Sequence, residues 1–129
     1  MVSLNSNKYT ATVTIGLQKG YSRELWSKND VITNLQVVQN KLIEHKELYL
    51  SAAVSECEIV LSGQVEPSIK LDFINYPKFP LEESAFKNAI LELTKELMEK
   101  LQQNRVVIVF HNDIVMLENS TEIDPRITI

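Results

Sequence analysis

The fold is decided by residues 85–110, AFKNAILELTKELMEKLQQNRVVIVF, which join an amphipathic segment to a continuous apolar one. In the first segment apolar residues recur every three or four positions, which is the period of a helix with one buried face. The second segment, Val106 to Phe110, is apolar at every position, as expected for a strand that is covered on both faces. The stretch therefore predicts a helix that ends near Leu101, followed by a buried strand.

The N-terminal third of the chain predicts a strand, a loop and a helix. From Tyr9 to Leu17 apolar residues alternate with threonines, which is the period of a strand with one buried face. Residues 16–26 begin with a glycine, contain a second one and predict a long loop. Apolar residues return to helical spacing from about Asp30 to Lys46, after residues that commonly cap helices.

Residues 48–73 predict two long strands that form a hairpin. The apolar residues stand at even positions before Ser55 and at odd positions after Glu56. Such a change of parity within one strand predicts a β-bulge, because a bulge moves the following side chains to the other face. Residues 62–67 predict the turn, and regular alternation resumes from Ile69 to Phe73.

Two short strands, at 105–110 and 114–117, complete the pattern, with a tight turn between them. The element order predicts an α+β fold: a ferredoxin-like βαββαβ sandwich with an extra C-terminal strand. In this architecture both helices cover one face of an antiparallel sheet. Residues 1–118 form a single α+β domain in this prediction, and residues 119–129 form a polar C-terminal tail.

Composition narrows the classes of function. The chain has 129 residues, one cysteine and a formal net charge of −4. A protein that binds nucleic-acid backbones would be more basic, and no apolar run approaches the roughly 20 residues that span a bilayer. A single cysteine cannot form an internal disulfide, which fits a reducing compartment. We therefore expect a cytoplasmic protein without a metal, a cofactor, a nucleic-acid partner or a membrane partner, since familiar nucleotide-binding motifs are also missing.

The loop at residues 16–26 is the strongest candidate for a ligand site. Lys19 and Arg23 supply positive charge, and the loop's glycines allow backbone N–H groups to face an anion such as phosphate or carboxylate. Tyr21 and Trp26 add aromatic surface, although a tryptophan at this place more commonly anchors the core. The alternative is an ordinary surface connection kept soluble by its charges. The predicted ligand-binding residues are Lys19, Tyr21, Arg23 and Trp26.

Part of this loop resembles the phosphate cradle of acylphosphatases, a glycine-rich segment on the same fold. The counterparts of that cradle are Gly16, Gln18, Gly20 and Arg23. The resemblance covers about eight residues with one insertion, and it implies a phosphate site. That family also uses an asparagine on its second strand to position the attacking water, and residues 48–61 contain none. Acylphosphatase activity is therefore not expected.

Other polar residues are candidates for proton transfer or cation binding, each with a structural alternative. His111 lies near Asp113 in a predicted turn, and turn chemistry alone explains the carboxylate. Glu56 and Glu58 share one face of a strand, either as a carboxylate pair or, more commonly, as a solvated surface. Cys57, between them, is expected to be a buried structural thiol rather than a nucleophile.

Two classes of function remain open, and the catalytic residues stay unknown. The favoured class is a non-enzymatic oligomeric module that binds a small anionic ligand or a protein partner through residues 16–26 and the open sheet face. The alternative is a small cofactor-free enzyme that acts on an anionic phosphate or carboxylate substrate. Such an enzyme would bring Lys19 or Arg23 into one concave pocket with a proton-transfer residue, for example His111, Tyr21 or Glu24.

The continuous apolar strand also bears on quaternary structure. Two helices on one face leave the other face of the sheet open, yet residues 106–110 are apolar throughout. A homo-oligomer, in the simplest case a dimer, would cover that face, because monomers seldom leave a large apolar patch in water. The alternative cover is the C-terminal tail.

Overall fold

The computed structural model describes residues 1–120, which contain five strands and two helices. In chain order these are β1 (Thr10–Gly16), α1 (Lys28–Lys46), β2 (Ala52–Leu61), β3 (Gln64–Ile74), α2 (Glu83–Lys100), β4 (Arg105–Phe110) and β5 (Ile114–Glu118). The strands form one antiparallel sheet in the order β2-β3-β1-β4-β5. This is the βαββαβ order with β5 added beside β4, and the predicted α+β fold class is confirmed.

Alternation along the strands places one face of the sheet against the helices. In β1, Ala11, Val13 and Ile15 are buried, and the threonines between them lie on the other face. Helix α2 contributes the buried residues Phe86, Ala89, Ile90, Leu93, Thr94, Leu97 and Met98. Complete burial of one large apolar side chain stabilises the fold by about 1.5–3 kcal/mol. This shared core fixes which face of each strand is inside.

Helix α1 begins at Lys28, somewhat earlier than predicted, because Ser27 caps it. The Asp30 carboxylate accepts a hydrogen bond from the Ser27 N–H at 2.8 Å, and the Ser27 hydroxyl accepts one from the Asp30 N–H at 3.0 Å. The backbone bond from Ser27, with a smaller contribution from its side chain, holds the pKa of Asp30 below its usual value. This reciprocal capping box fixes the start of the helix directly after Trp26.

The predicted β-bulge near Ser55 and Glu56 is wrong. Pairing between β2 and β3 runs without interruption from Ala52 opposite Phe73 to Leu61 opposite Gln64. The parity changes because the hairpin extends beyond the helices, so its outer half is apolar on the open face of the sheet. The turn is also shorter than predicted, since β3 already begins at Gln64 and includes Pro67.

Within residues 1–120, only one face of β4 is covered. Val106, Ile108 and Phe110 are buried, whereas Val109 on the open face is 45% exposed. The double cover that the sequence predicts for this strand therefore does not come from residues 1–120. The predicted tail at 119–129 lies outside the described residues from position 121 onward. Neither helix of the described part has the length and apolar character needed to cross a membrane.

Candidate functional site

The loop that follows β1 is folded back on itself rather than open. The Trp26 N–H donates to the Leu17 carbonyl at 2.6 Å, and the Lys19 N–H donates to the Glu24 carbonyl at 2.9 Å. The Ser22 N–H donates to the Lys19 carbonyl at 3.1 Å. These three N–H groups are therefore engaged inside the loop, which continues from β1 as a narrow hairpin.

Trp26 combines the two roles that the sequence left open for it. Its indole N–H donates to the Leu101 carbonyl at 2.9 Å, and its half-buried ring packs against the core. The Lys19 ammonium lies 4.5 Å from the centre of that ring and 3.9 Å from the Glu24 carboxylate. Trp26 is thus a core anchor whose remaining surface is available to line a cleft.

The other predicted ligand-binding residues lie elsewhere on the loop. The Tyr21 hydroxyl accepts a hydrogen bond from the Asn104 amide at 3.1 Å, and Arg23 is exposed. Neither of them lines the cleft described next, so the structure brings together Lys19 and Trp26 but not the whole predicted set. A ligand-binding role for Lys19, Tyr21, Arg23 and Trp26 stays a prediction.

A cleft of about 430 Å³ opens between the start of α1 and the β2–β3 hairpin, and we call it the Trp26 cleft. Its lining residues are Leu17, Trp26, Ser27, Lys28, Glu56, Cys57, Glu58, Pro67 and Ser68. The cleft exists because β2 and β3 continue past the helices and expose the inner face of the sheet there. The strand register places Glu56 opposite Ile69 and therefore on that helix-facing side.

The charges of the Trp26 cleft favour a ligand with a flat apolar part and a positive charge. Glu56 and Glu58, one strand period apart, bring two carboxylates to one wall, and Lys28 is the one cation among the lining residues. Leu17, Trp26 and Pro67 supply the apolar surface. Carboxylates next to an aromatic ring form a suitable environment for an organic cation.

Cys57 is half-buried rather than buried as predicted, because its strand is at the edge of the sheet. It pairs with Ser68 of β3 and borders the Trp26 cleft, but strand alternation places its side chain on the opposite face of the sheet from the Glu56 and Glu58 carboxylates. Gly16 has a packing role in this region, since a Cβ atom there would collide with the Glu66 carboxylate and meet the Gln103 amide at 3.1 Å. The glycine that resembles part of a phosphate cradle therefore makes room for side chains.

His111 lies at the opposite end of β1 and has both ring nitrogens engaged. Nδ1 accepts a hydrogen bond from the Thr10 N–H at 3.2 Å, and Nε2 is 3.0 Å from the Glu83 carboxylate. The bond from His111, with Lys87 contributing less, holds the pKa of Glu83 below its usual value despite slight desolvation. This pair links β1, β4 and the first turn of α2, so we assign it a structural role. Across residues 1–120, no three side chains of histidine, cysteine, aspartate or glutamate form a group suited to a metal ion.

The fold is a five-stranded α+β sandwich, and two solved structures share it over nearly their whole length. They are a phage SAM lyase in the apo state, with a TM-score of 0.78, and a phage SAM lyase in complex with S-methyl-5'-thioadenosine, with a TM-score of 0.72. Each is 19% identical to this chain, and the match covers 95% of this chain and 98% of the other. No family model and no curated protein matches the sequence. The structural match shows that the fold is shared, and at 19% identity it shows nothing beyond the fold.

Proposed function

We propose that this protein is a small cofactor-free enzyme that cleaves S-adenosylmethionine (SAM) in the Trp26 cleft. The observation that carries the proposal is the placement of the Trp26 ring beside the Glu56 and Glu58 carboxylates in one concave site. The similarity of the whole fold to a phage SAM lyase supports the choice of substrate. The proposal replaces the predicted anion site on the loop with a site for an organic cation that also carries a carboxylate.

The chemical groups of SAM have complementary partners in this cleft. The substrate carries a planar adenine, a positively charged sulfonium, an ammonium group and one carboxylate. Trp26 offers a surface on which adenine stacks, and Glu56 and Glu58 offer negative charge to the sulfonium and the ammonium. Lys28, in the first turn of α1, offers positive charge to the substrate carboxylate, helped by the helix dipole. These residues bind and orient the substrate.

The proposed reaction needs no metal, water or redox partner. In SAM the carboxylate oxygen attacks the carbon that is bonded to sulfur at the other end of the four-carbon chain. A carbon–oxygen bond forms, the carbon–sulfur bond breaks, and its electron pair stays on sulfur. The products are neutral S-methyl-5'-thioadenosine and a protonated aminolactone, so atoms and charge balance. The task left to the protein is to hold the substrate in the folded conformation that brings the reacting atoms together.

The test compares a Glu56→Gln, Glu58→Gln double variant with a Glu44→Gln, Glu99→Gln control that removes the same charge from exposed helix positions. Release of S-methyl-5'-thioadenosine from SAM is measured by chromatography. We expect the cleft variant to lose about tenfold or more in kcat/KM, because a hydrogen bond to a charged group contributes about 1.5–3 kcal/mol. Equal rates in the two variants, or no release by the unmodified protein, would contradict the proposal.

We also propose that a second copy of the chain covers the open face of the sheet. The support is the apolar surface of β4 and β5, where Val109, Ile114 and Met116 are between 45% and 68% exposed. Light scattering on the purified protein tests the idea. A dimer or larger assembly that dissociates in a Val109→Lys, Met116→Lys variant is the expected result, and a monomeric unmodified protein would refute it.

A further inference from the structure

Three aromatic rings form an exposed cluster at the end of the sheet that lies away from the Trp26 cleft. Tyr49 stacks on Phe79 with ring centroids 4.9 Å apart, and Tyr76 lies 6.0 Å from Phe79. Each of the three side chains is between 44% and 47% exposed. Aromatic rings held half in solvent do not complete a core, and such rings are enriched at binding surfaces.

The loop that presents two of these rings is held firmly by Asn75. This buried residue receives the Leu81 N–H at 2.9 Å on its side-chain oxygen and donates its amide to the Asn7 carbonyl at 3.1 Å. Its own backbone N–H donates to the Tyr9 carbonyl at 2.9 Å. The Phe79 N–H closes a turn onto the Tyr76 carbonyl at 3.0 Å. The aromatic cluster is therefore fixed in place before any ligand arrives, which lowers the entropic cost of binding.

A second cleft, of about 510 Å³, lies next to this cluster, and we call it the amide cleft. It is lined by Gln36, Gln39, Asn40, Ile43, Tyr49, Leu50 and Ser51. Tyr49 belongs to both features, so one ring of the stacked pair lines the cleft. Gln36 and Asn40 are exposed, and their amides offer donors and acceptors side by side on one face of α1.

None of the lining residues of the amide cleft carries a charge. The lysines on the same half of α1 pair with α2 instead: Lys46 lies 2.7 Å from Glu92, and Lys41 lies 3.7 Å from Glu96. A phosphate or another charged group would therefore gain no counter-ion from the lining. The chemistry suits a neutral ligand with a flat face and paired hydrogen-bonding groups at its edge.

We propose that the amide cleft binds the base of an uncharged purine nucleoside. The base stacks on the Tyr49 ring, whose partner Phe79 supports it, and the amides of Gln36 and Asn40 bond the edge of the base. This site is distinct from the Trp26 cleft, because about 20 Å of β2 separates Ser51 from Cys57 at about 3.3 Å per residue. It does not depend on the proposed catalysis, and it gives the protein a second place to sense a nucleoside.

The experiment is a titration of the isotope-labelled full chain with adenosine, followed by the NMR signals of backbone and side-chain amides. We expect saturable shifts at Tyr49, Gln36 and Asn40, with adenosine monophosphate binding no more tightly than adenosine. In Tyr49→Ala the affinity should fall about tenfold, because stacking of one base on an aromatic ring contributes about 1–3 kcal/mol. An Asn40→Ala variant should weaken binding, whereas Asn88→Ala, an exposed asparagine on α2, should leave it unchanged.

Three results would overturn the proposal: no shift at these residues, shifts confined to the Trp26 indole, or binding of methyl glucoside in place of adenosine. Each of these results is independent of the release of S-methyl-5'-thioadenosine from SAM. Failure at the amide cleft can therefore be distinguished from failure of the proposed enzyme.

Discussion

The two ends of β1 differ in what surrounds the polar side chains that lie there. At the Thr10 end, the first turn of α2 closes over the sheet, and His111 and Glu83 satisfy each other. At the Gly16 end, the sheet extends past the helices, so no helix covers Glu56 and Glu58. These two residues line an open cleft instead. Polar groups at the first end have structural partners, whereas those at the second face a space that a ligand can fill. A polar cluster is a better candidate for chemistry when the fold leaves room beside it.

The largest effect that separates the two ends is expected from Trp26→Ala. The substitution removes a half-buried ring, the hydrogen bond to the Leu101 carbonyl and one wall of the Trp26 cleft. We expect the free energy of unfolding to fall by about 2–4 kcal/mol and binding of S-methyl-5'-thioadenosine to be lost. Urea denaturation measures the first effect and calorimetry the second.

Trp26→Phe is the control for this prediction, because it keeps a ring in the wall and removes only the indole hydrogen bond to the Leu101 carbonyl, which still accepts one from the Gln103 amide at 2.9 Å. A stability loss of about 1 kcal/mol with binding retained is expected. If Trp26→Ala left both stability and binding intact, the ring would be neither an anchor nor part of the site.

A smaller and purely structural effect is expected from His111→Ala at the other end. The change removes the link from the ring to Thr10 and Glu83, and we expect a loss of about 1–2 kcal/mol in the free energy of unfolding. Turnover of SAM measured well below the melting temperature should be unchanged. A large fall in turnover with stability preserved would move the catalytic site to this end of the sheet.

The smallest effect concerns pH. The pKa of Glu83 in the folded protein lies below its usual value of 4.5, chiefly because His111 donates to it. Its contribution to stability is therefore complete well above pH 4.5 and is lost as the pH falls through the lower, folded-state pKa. Denaturation midpoints between pH 3 and pH 6 should show this decline, and Glu83→Gln should make the profile flatter than that of a Glu82→Gln control.

The sequence predicts the sheet and the helices well, because each is carried by a regular period of apolar residues. The helical period up to Leu101 and the alternation of β1 are local signals, and the apolar residues that carry them are buried in the core. The β-bulge fails for a physical reason. An apolar residue such as Leu61, 67% exposed on the open face, gives the same local pattern as one in the core.

The candidate site is harder to predict, because its parts lie far apart in the chain. The sequence predicts Trp26 as a ligand-binding residue and Glu56 and Glu58 as a candidate carboxylate pair. No local pattern predicts that these residues line one cleft. That contact depends on β2 extending past the start of α1, which is a property of element lengths in the folded chain. Some backbone N–H groups of the loop, for example that of Lys19, donate to carbonyls inside the loop itself, and no local pattern in the sequence predicts this.

The most direct test of the account is a fluorescence titration, since Trp26 is the one tryptophan of the chain. S-Methyl-5'-thioadenosine is added to the unmodified protein, and the emission of Trp26 is followed beside binding heat from calorimetry. We expect a saturable change in emission with the same midpoint as the heat. Binding that is detected by calorimetry while the emission of Trp26 stays constant would contradict the Trp26 cleft as the ligand site, and the absence of any binding would contradict the proposed function as well.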